Sequence, residues 1–185
     1  MENIKKIAIK IVDGNIALNN IPGGITASTL QGNLLVESSS GGIALDSTAG
    51  NIIAVDVVPG QIGEIFRAKS NSGSISLKNV THRQIEANSI TGSVVFDGNF
   101  SSGGIYTFRT SNGSIRMNIP KDASCKIVAA YGFGSFRSEL PLNFIYHNQT
   151  DRARNFAATI GSGAATVNIT TTSGSIGINT QQRRQ

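Results

Sequence analysis

Any chemistry in this chain has to come from very few side chains. Cys125 is the single cysteine among 185 residues, and His82 and His147 are the two histidines. Neither histidine has a second His or a Cys at ligand spacing, so no zinc site is indicated and both read as solvated loop residues. One cysteine gives no disulfide framework, and Cys125, just ahead of an apolar position, reads as a small buried filler. Asp13, Asp46, Asp56, Asp97, Asp122 and Asp151 are dispersed along the chain. Calcium sites and glycosidic cleavage both need acids converging on one point, and dispersal argues against both. Serines follow glycines repeatedly, but no Gly-x-Ser-x-Gly elbow occurs. "GFG" at 132–134 and "GSG" at 161–163 lack the remaining glycines of a dinucleotide fingerprint, and no helical pattern follows them. The sequence therefore assigns no catalytic residue, no metal ligand and no cofactor.

Composition narrows the classes further. Charged residues make up 15% of the chain, against about 25% in an ordinary domain. The 21 glycines point to a turn-rich β protein. The net charge of +5 is scattered and not gathered into a patch with interleaved aromatics, so nucleic acid is not indicated as a partner. The stretch "MENIKKIAIKIV" lacks the apolar run and cleavage site of a signal peptide. No segment approaches the roughly 18 apolar residues of a membrane span, so direct membrane insertion is not expected. As written, the chain reads as cytoplasmic.

The glycines have a period. Aligned on Gly14, Gly32, Gly50, Gly73, Gly92, Gly113, Gly134 and Gly174, the spacings are 18, 18, 23, 19, 21, 21 and 40 residues, the last equal to two periods of 20. The next residue is Asn or Ser in all eight cases. Two and four places on stand apolar residues, for example Ile52 and Ala54, or Ile115 and Met117, with Ser138 the exception. Seven and five places upstream stand further apolar residues, for example Phe66 and Ala68, and three upstream a hydroxyl, as in Thr29, Ser47, Ser70, Ser89, Thr110 and Thr171. Apolar positions stepping by two on each side of a glycine describe two strands joined by a bend, each with one buried face. Such units bury their apolar faces by stacking. The expected fold is all-β: a single-stranded parallel β-helix, or solenoid, of about eight to nine turns with a period of about 20 residues. One domain is expected over 1–180, with an excursion at about 140–163 and a polar tail over 181–185. The excursion reads as a bulging hairpin rather than a degraded turn, one whose residues 146–155 are removable with folding largely intact.

The repeated [Ser/Thr/Asn]-Gly-Ser-Ile corners, followed by "GFGSFRSELPL", "IGSGAATVNITTTSGSI" and a terminal corner, resemble the bacterial putative-adhesin β-helix family of unknown function. The resemblance covers roughly Gly50 to Ile178, and the first three units fit by repeat. It implies an envelope-associated protein and carries over no catalytic residues. The absence of an anchor in this sequence departs from that pattern.

Two surfaces stand out as partner-facing. The position three after each corner glycine should point outward, yet its first members are Ala17, Leu35 and Ile53, with Val55 two further on. Leu35, Ile53 and Val55 would form an apolar stripe, covered by the chain itself or pairing two copies as a homo-oligomer. In the excursion, His147, Arg152 and Arg154 gather positive charge suited to an anionic partner, beside Phe144 and Tyr146. The reading is a non-catalytic, adhesin-like scaffold presenting flat faces and one excursion to a protein or envelope polymer. A self-assembling filament is the alternative, and a carbohydrate-processing module ranks last.

Overall fold

The computed structural model describes residues 6–150 and 153–181. The eight corner glycines each separate a longer strand from a shorter one. These are β1 (Ile7–Asp13) and β2 (Ile16–Asn19), β3 (Ile25–Gln31) and β4 (Leu34–Glu37), β5 (Ile43–Ala49) and β6 (Ile52–Val57), and β7 (Ile65–Ser72) and β8 (Ile75–Val80). They continue as β9 (Gln84–Thr91) and β10 (Val94–Asp97), β11 (Ile105–Asn112) and β12 (Ile115–Ile119), and β13 (Cys125–Phe133) and β14 (Phe136–Ser138). The hairpin strands β15 (Asn143–Thr150) and β16 (Ala153–Ile160) come next, and β17 (Ala165–Ser173) and β18 (Ile176–Thr180) complete the set.

The all-β expectation holds, but the purely parallel single-stranded β-helix does not. The strands form two sheets, one of ten strands in the order β1-β3-β5-β7-β9-β11-β17-β13-β16-β15, the other of eight in the order β14-β18-β12-β10-β8-β6-β4-β2. The larger sheet is mixed: β16 runs antiparallel to both β13 and β15. The stacking also departs from chain order, because β17 lies between β11 and β13 and is parallel to both. One hydrophobic cluster runs between the sheets, built from the positions that alternate inward on each strand. Ile25, Ile43, Phe66, Ile85, Tyr106, Val167 and Ile127 succeed one another in register on one side of it. Leu34, Ile52, Ile75, Val94, Ile115 and Ile176 do so on the other.

Two polar columns explain the corner sequence. The buried hydroxyls of Thr29, Ser47, Ser70, Ser89, Thr110 and Thr171 donate to the carbonyls of Gly14, Gly32, Gly50, Gly73, Gly92 and Gly113 at 2.8–3.4 Å. Each bond removes a buried, unpaired donor, and such a bond contributes about 1 kcal/mol net. Beside the glycines runs a second ladder in which one side chain accepts from the backbone N–H of the next layer. Asn15, Asn33 and Asn51 accept at 2.7–2.8 Å, while Ser74, Ser93, Ser114 and Ser175 accept at 3.3–3.4 Å. The extra atom of the Asn side chain closes the gap that Ser leaves.

The need for glycine is partly conformational and partly steric. Gly32 has φ +138°, in the region L-residues avoid, and a Cβ there would overlap the Gly14 carbonyl. Gly113 is not among the positive-φ glycines, yet a Cβ on it would overlap the Gly92 carbonyl in the same way. Close approach of the neighbouring layer, not backbone handedness, fixes glycine at that corner.

Candidate functional site

The outward faces carry the candidate residues, and their placement follows from the register. Leu35 on β4 stands beside Ile53 on β6, with Ala17 before them and Ser76 after. Val55 is next to Glu37 and Lys78 in the adjoining outward column. The three stripe residues are thus neighbours, but Leu35 and Val55 are half-buried and only Ile53, 39% exposed, offers a free apolar side chain. The stripe is narrower than the sequence pattern implies, because adjacent strands shield β-branched and Leu side chains on a pleated face.

The excursion is a true hairpin, β15 against β16, added antiparallel to the end of the larger sheet. Its inner strand turns Phe156, Ala158 and Ile160 into the core. The ring of Phe156 lies 4.4 Å from Phe136 and 5.6 Å, edge-on, from Phe144. On β15 the register slips between Phe144 and Tyr146, leaving Ile145 as the extra residue of a bulge. Phe144, Ile145 and Tyr146 are 49%, 58% and 48% exposed, a run of three large apolar side chains on the last strand of the sheet. His147 is exposed and stacks on Phe144 at 5.1 Å. Arg154 is exposed, but its Nη1 donates to the Gly134 carbonyl at 3.0 Å, which ties the guanidinium to a corner. Arg152 lies outside the described residues. The hairpin therefore brings His147 and Arg154 onto one element and joins them to an aromatic edge. The stripe sits on the smaller sheet near its opposite end, so stripe and hairpin are separate surfaces.

His82 departs from the expectation of a solvated loop residue. It is fully buried, its Nε2 lies 2.8 Å from the Gly41 carbonyl, and its ring meets Phe66 edge-on at 5.8 Å. The carbonyl can only accept, so Nε2 carries the proton and Nδ1 is left without a partner among the described residues. Burial holds the imidazole below its ordinary value, opposed by the Gly41 hydrogen bond and by Glu64. The signal for this was present in "VTHR", where Val80 and His82 alternate inward with Thr81 and Arg83 outward, a new phase of alternation that starts after the bend at Asn79. Cys125 is buried as expected, though as the first residue of β13, and burial pushes its thiol up to about 12. Among the described residues, no group of three or more His, Cys, Asp or Glu side chains could hold a metal ion, and no helix is long and apolar enough to cross a membrane.

A family model described as Toastrack DUF4097 matches residues 2–179, nearly the whole chain, and the protein belongs to that family. The two-sheet arrangement of mixed strands is the architecture of this family, in place of the parallel β-helix expected from the repeat. Among solved structures, the chain is similar to a putative cell adhesion protein from Clostridium sporogenes, at 11% identity and a TM-score of 0.41, over 95% of this chain and 92% of that one. No curated protein matches the chain.

Proposed function

We propose, on the premise of that family membership, that the protein is a non-catalytic, adhesion-type binding scaffold at the bacterial cell envelope, with the β15–β16 hairpin as its recognition element. The observation that carries this reading is the run Phe144, Ile145 and Tyr146, each about half exposed on the last strand of the larger sheet and followed by His147, with Arg154 farther along the hairpin opposite Gln149. Such a sequence on a free edge is a liability unless something uses it. Aromatic and apolar groups next to cations suit an anionic polymer whose backbone also offers apolar faces, as cell-wall polymers do. The corner repeats and their resemblance to envelope-associated adhesins support the location. The stripe of Leu35, Ile53 and Val55 is a secondary contact face. End-to-end filaments are disfavoured: the β15 edge is bulged and the β1 edge carries Lys6 and Lys10, and both features deter strand addition.

The test is co-sedimentation with purified cell-wall fragments. Ile145→Ser with Tyr146→Ser should weaken binding at least about tenfold while leaving the melting temperature within a few degrees, since neither side chain enters the core. Arg154→Gln should weaken it and make the remainder less sensitive to salt. Binding that is unchanged in the double variant overturns the assignment of the hairpin.

A further inference from the structure

The connection between β6 and β7, residues 58–64, lies in the unit whose corner spacing is 23 residues where the two before it are 18. The added length makes a projecting loop. At its tip Ile62 is 96% exposed, more than any other large apolar side chain among the described residues, and Val58 and Ile105 nearby are 45% and 52% exposed. The loop is fixed in shape by its own acid: Glu64 Oε2 accepts from the Gly60 N–H at 2.6 Å and the Gln61 N–H at 2.9 Å. Underneath, the Thr81 N–H bonds the Val57 carbonyl, and His82 bonds Gly41. Beside the loop lies a cleft of about 370 Å³, walled by Gly60, Ile62, Glu64, Thr81, Arg83 and Ser101.

This surface is complementary to itself. It sets an apolar knob next to a hole large enough for one, and a cation next to an acid. Arg83 and Glu64 share the cleft but form no ion pair there; among the described residues the ion pair is Arg67 with Glu86 on neighbouring strands. A two-fold axis turns adjacency into contact, since each feature then faces its opposite on the second copy. Ile62 is part of the cleft wall and still 96% exposed, so the apolar surface left open there is of the size that the same side chain of a second copy would cover. We propose that loop 58–64 and its cleft form a two-fold interface between two copies of this chain, with Ile62 of each seated in the cleft of the other and Arg83 facing Glu64 of the second copy. The rigid loop favours this, because the ordering that binding ordinarily demands is already in place. The inference goes beyond the adhesion reading and does not depend on it.

Sedimentation equilibrium on the full chain tests it. The wild type should reach twice the chain mass at high concentration. Ile62→Asp and Arg83→Glu should each raise the dimer dissociation constant at least tenfold with the strand signal in circular dichroism unchanged. Leu35→Lys with Ile53→Lys should leave the dimer intact. Independently of these, a chain carrying Ile62→Cys mixed with one carrying Ser101→Cys should form a disulfide between unlike chains under mild oxidant; buried Cys125, with its thiol pushed up to about 12, stays silent. A wild type that remains monomeric, a dimer that survives Ile62→Asp, one dissolved by the stripe variant, or no cross-link in the mixture overturns the proposal.

Discussion

His82 shows how one inward side chain couples the fold to pH. With Nε2 donating to Gly41 and Nδ1 unpartnered, a second proton on the ring would be a buried charge with no acceptor. The unfolded chain takes up that proton near the ordinary value of 6.5, the folded chain only at lower pH. Between the two the unfolded state binds more protons, so the contribution of the neutral ring to stability is complete above about 6.5 and declines as pH falls below it. His82→Gln keeps a donor for Gly41 and removes the titration. The stability gap between wild type and this variant, from urea unfolding, should therefore shrink from pH 7.5 to pH 5; a constant gap would show that the ring does not titrate in this window. At the same scale, much of the corner chemistry was legible. Gly, Asn or Ser, and the hydroxyl three places upstream recur because each meets its copy in the next layer. A second bend went unread. Asn20, Ser38, Asp56 and Asn79, each six places after a corner, adopt φ between 45° and 55°. Asn and Asp tolerate that conformation, but so common a set of loop residues does not distinguish a repeated bend from an ordinary turn.

Among the elements, the hairpin departs most from the sequence pattern. Phe156 and Ala158 imitate the apolar steps that follow a corner because they line the same core, and alternation inward is the same whether a strand runs parallel or antiparallel to its neighbour. Periodicity reports which side chains are buried and is blind to strand direction. The hairpin is also less separable than an excursion on a finished core. Phe156 is fully buried against Phe136, and β16 covers β13 from Cys125 to Tyr131. Removing residues 146–155 would delete the turn and most of the β15–β16 pairing and take Asn155 and Arg154 from Ala130 and Tyr131, so the retained Phe156–Ile160 segment should be held on β13 less firmly and the melting temperature should fall. A cleaner measurement is Phe156→Ala, which deletes a packed ring and should cost about 3–5 kcal/mol in urea unfolding. A loss under about 1 kcal/mol would mean that β16 lies on the core without holding it together.

At the scale of the whole molecule, the columns of like residues leave stacking order open, because every layer presents the same faces. Val167 of β17 is in register with Tyr106 of β11 on one side and Ile127 of β13 on the other, and the match would look equally good in any order. The 40-residue gap before Gly174 was visible, but its length fits two periods and so conceals the hairpin and the return of the chain between two earlier layers. That return makes the two ends unequal. β1 and β2 touch one neighbouring layer, and Ile7, Ile9 and Ile11 are only half-buried there. β17 and β18 bridge two layers, with Val167, Ile169, Ile176 and Ile178 buried, and the Gly134 corner is shaped to lie against Gly174. Without them, β13, β14 and the hairpin have no in-register bed, and β11 and β12 lose their outer neighbours. A chain of residues 24–185 should therefore keep a cooperative thermal transition at a reduced midpoint. A chain of residues 1–163, shortened by a nearly equal length, should lose cooperativity altogether, because its last two strand pairs have nothing to dock on. Calorimetry of the two truncations decides between this and a simple stack in chain order, in which trimming either end would lower the midpoint by similar amounts and leave both transitions sharp.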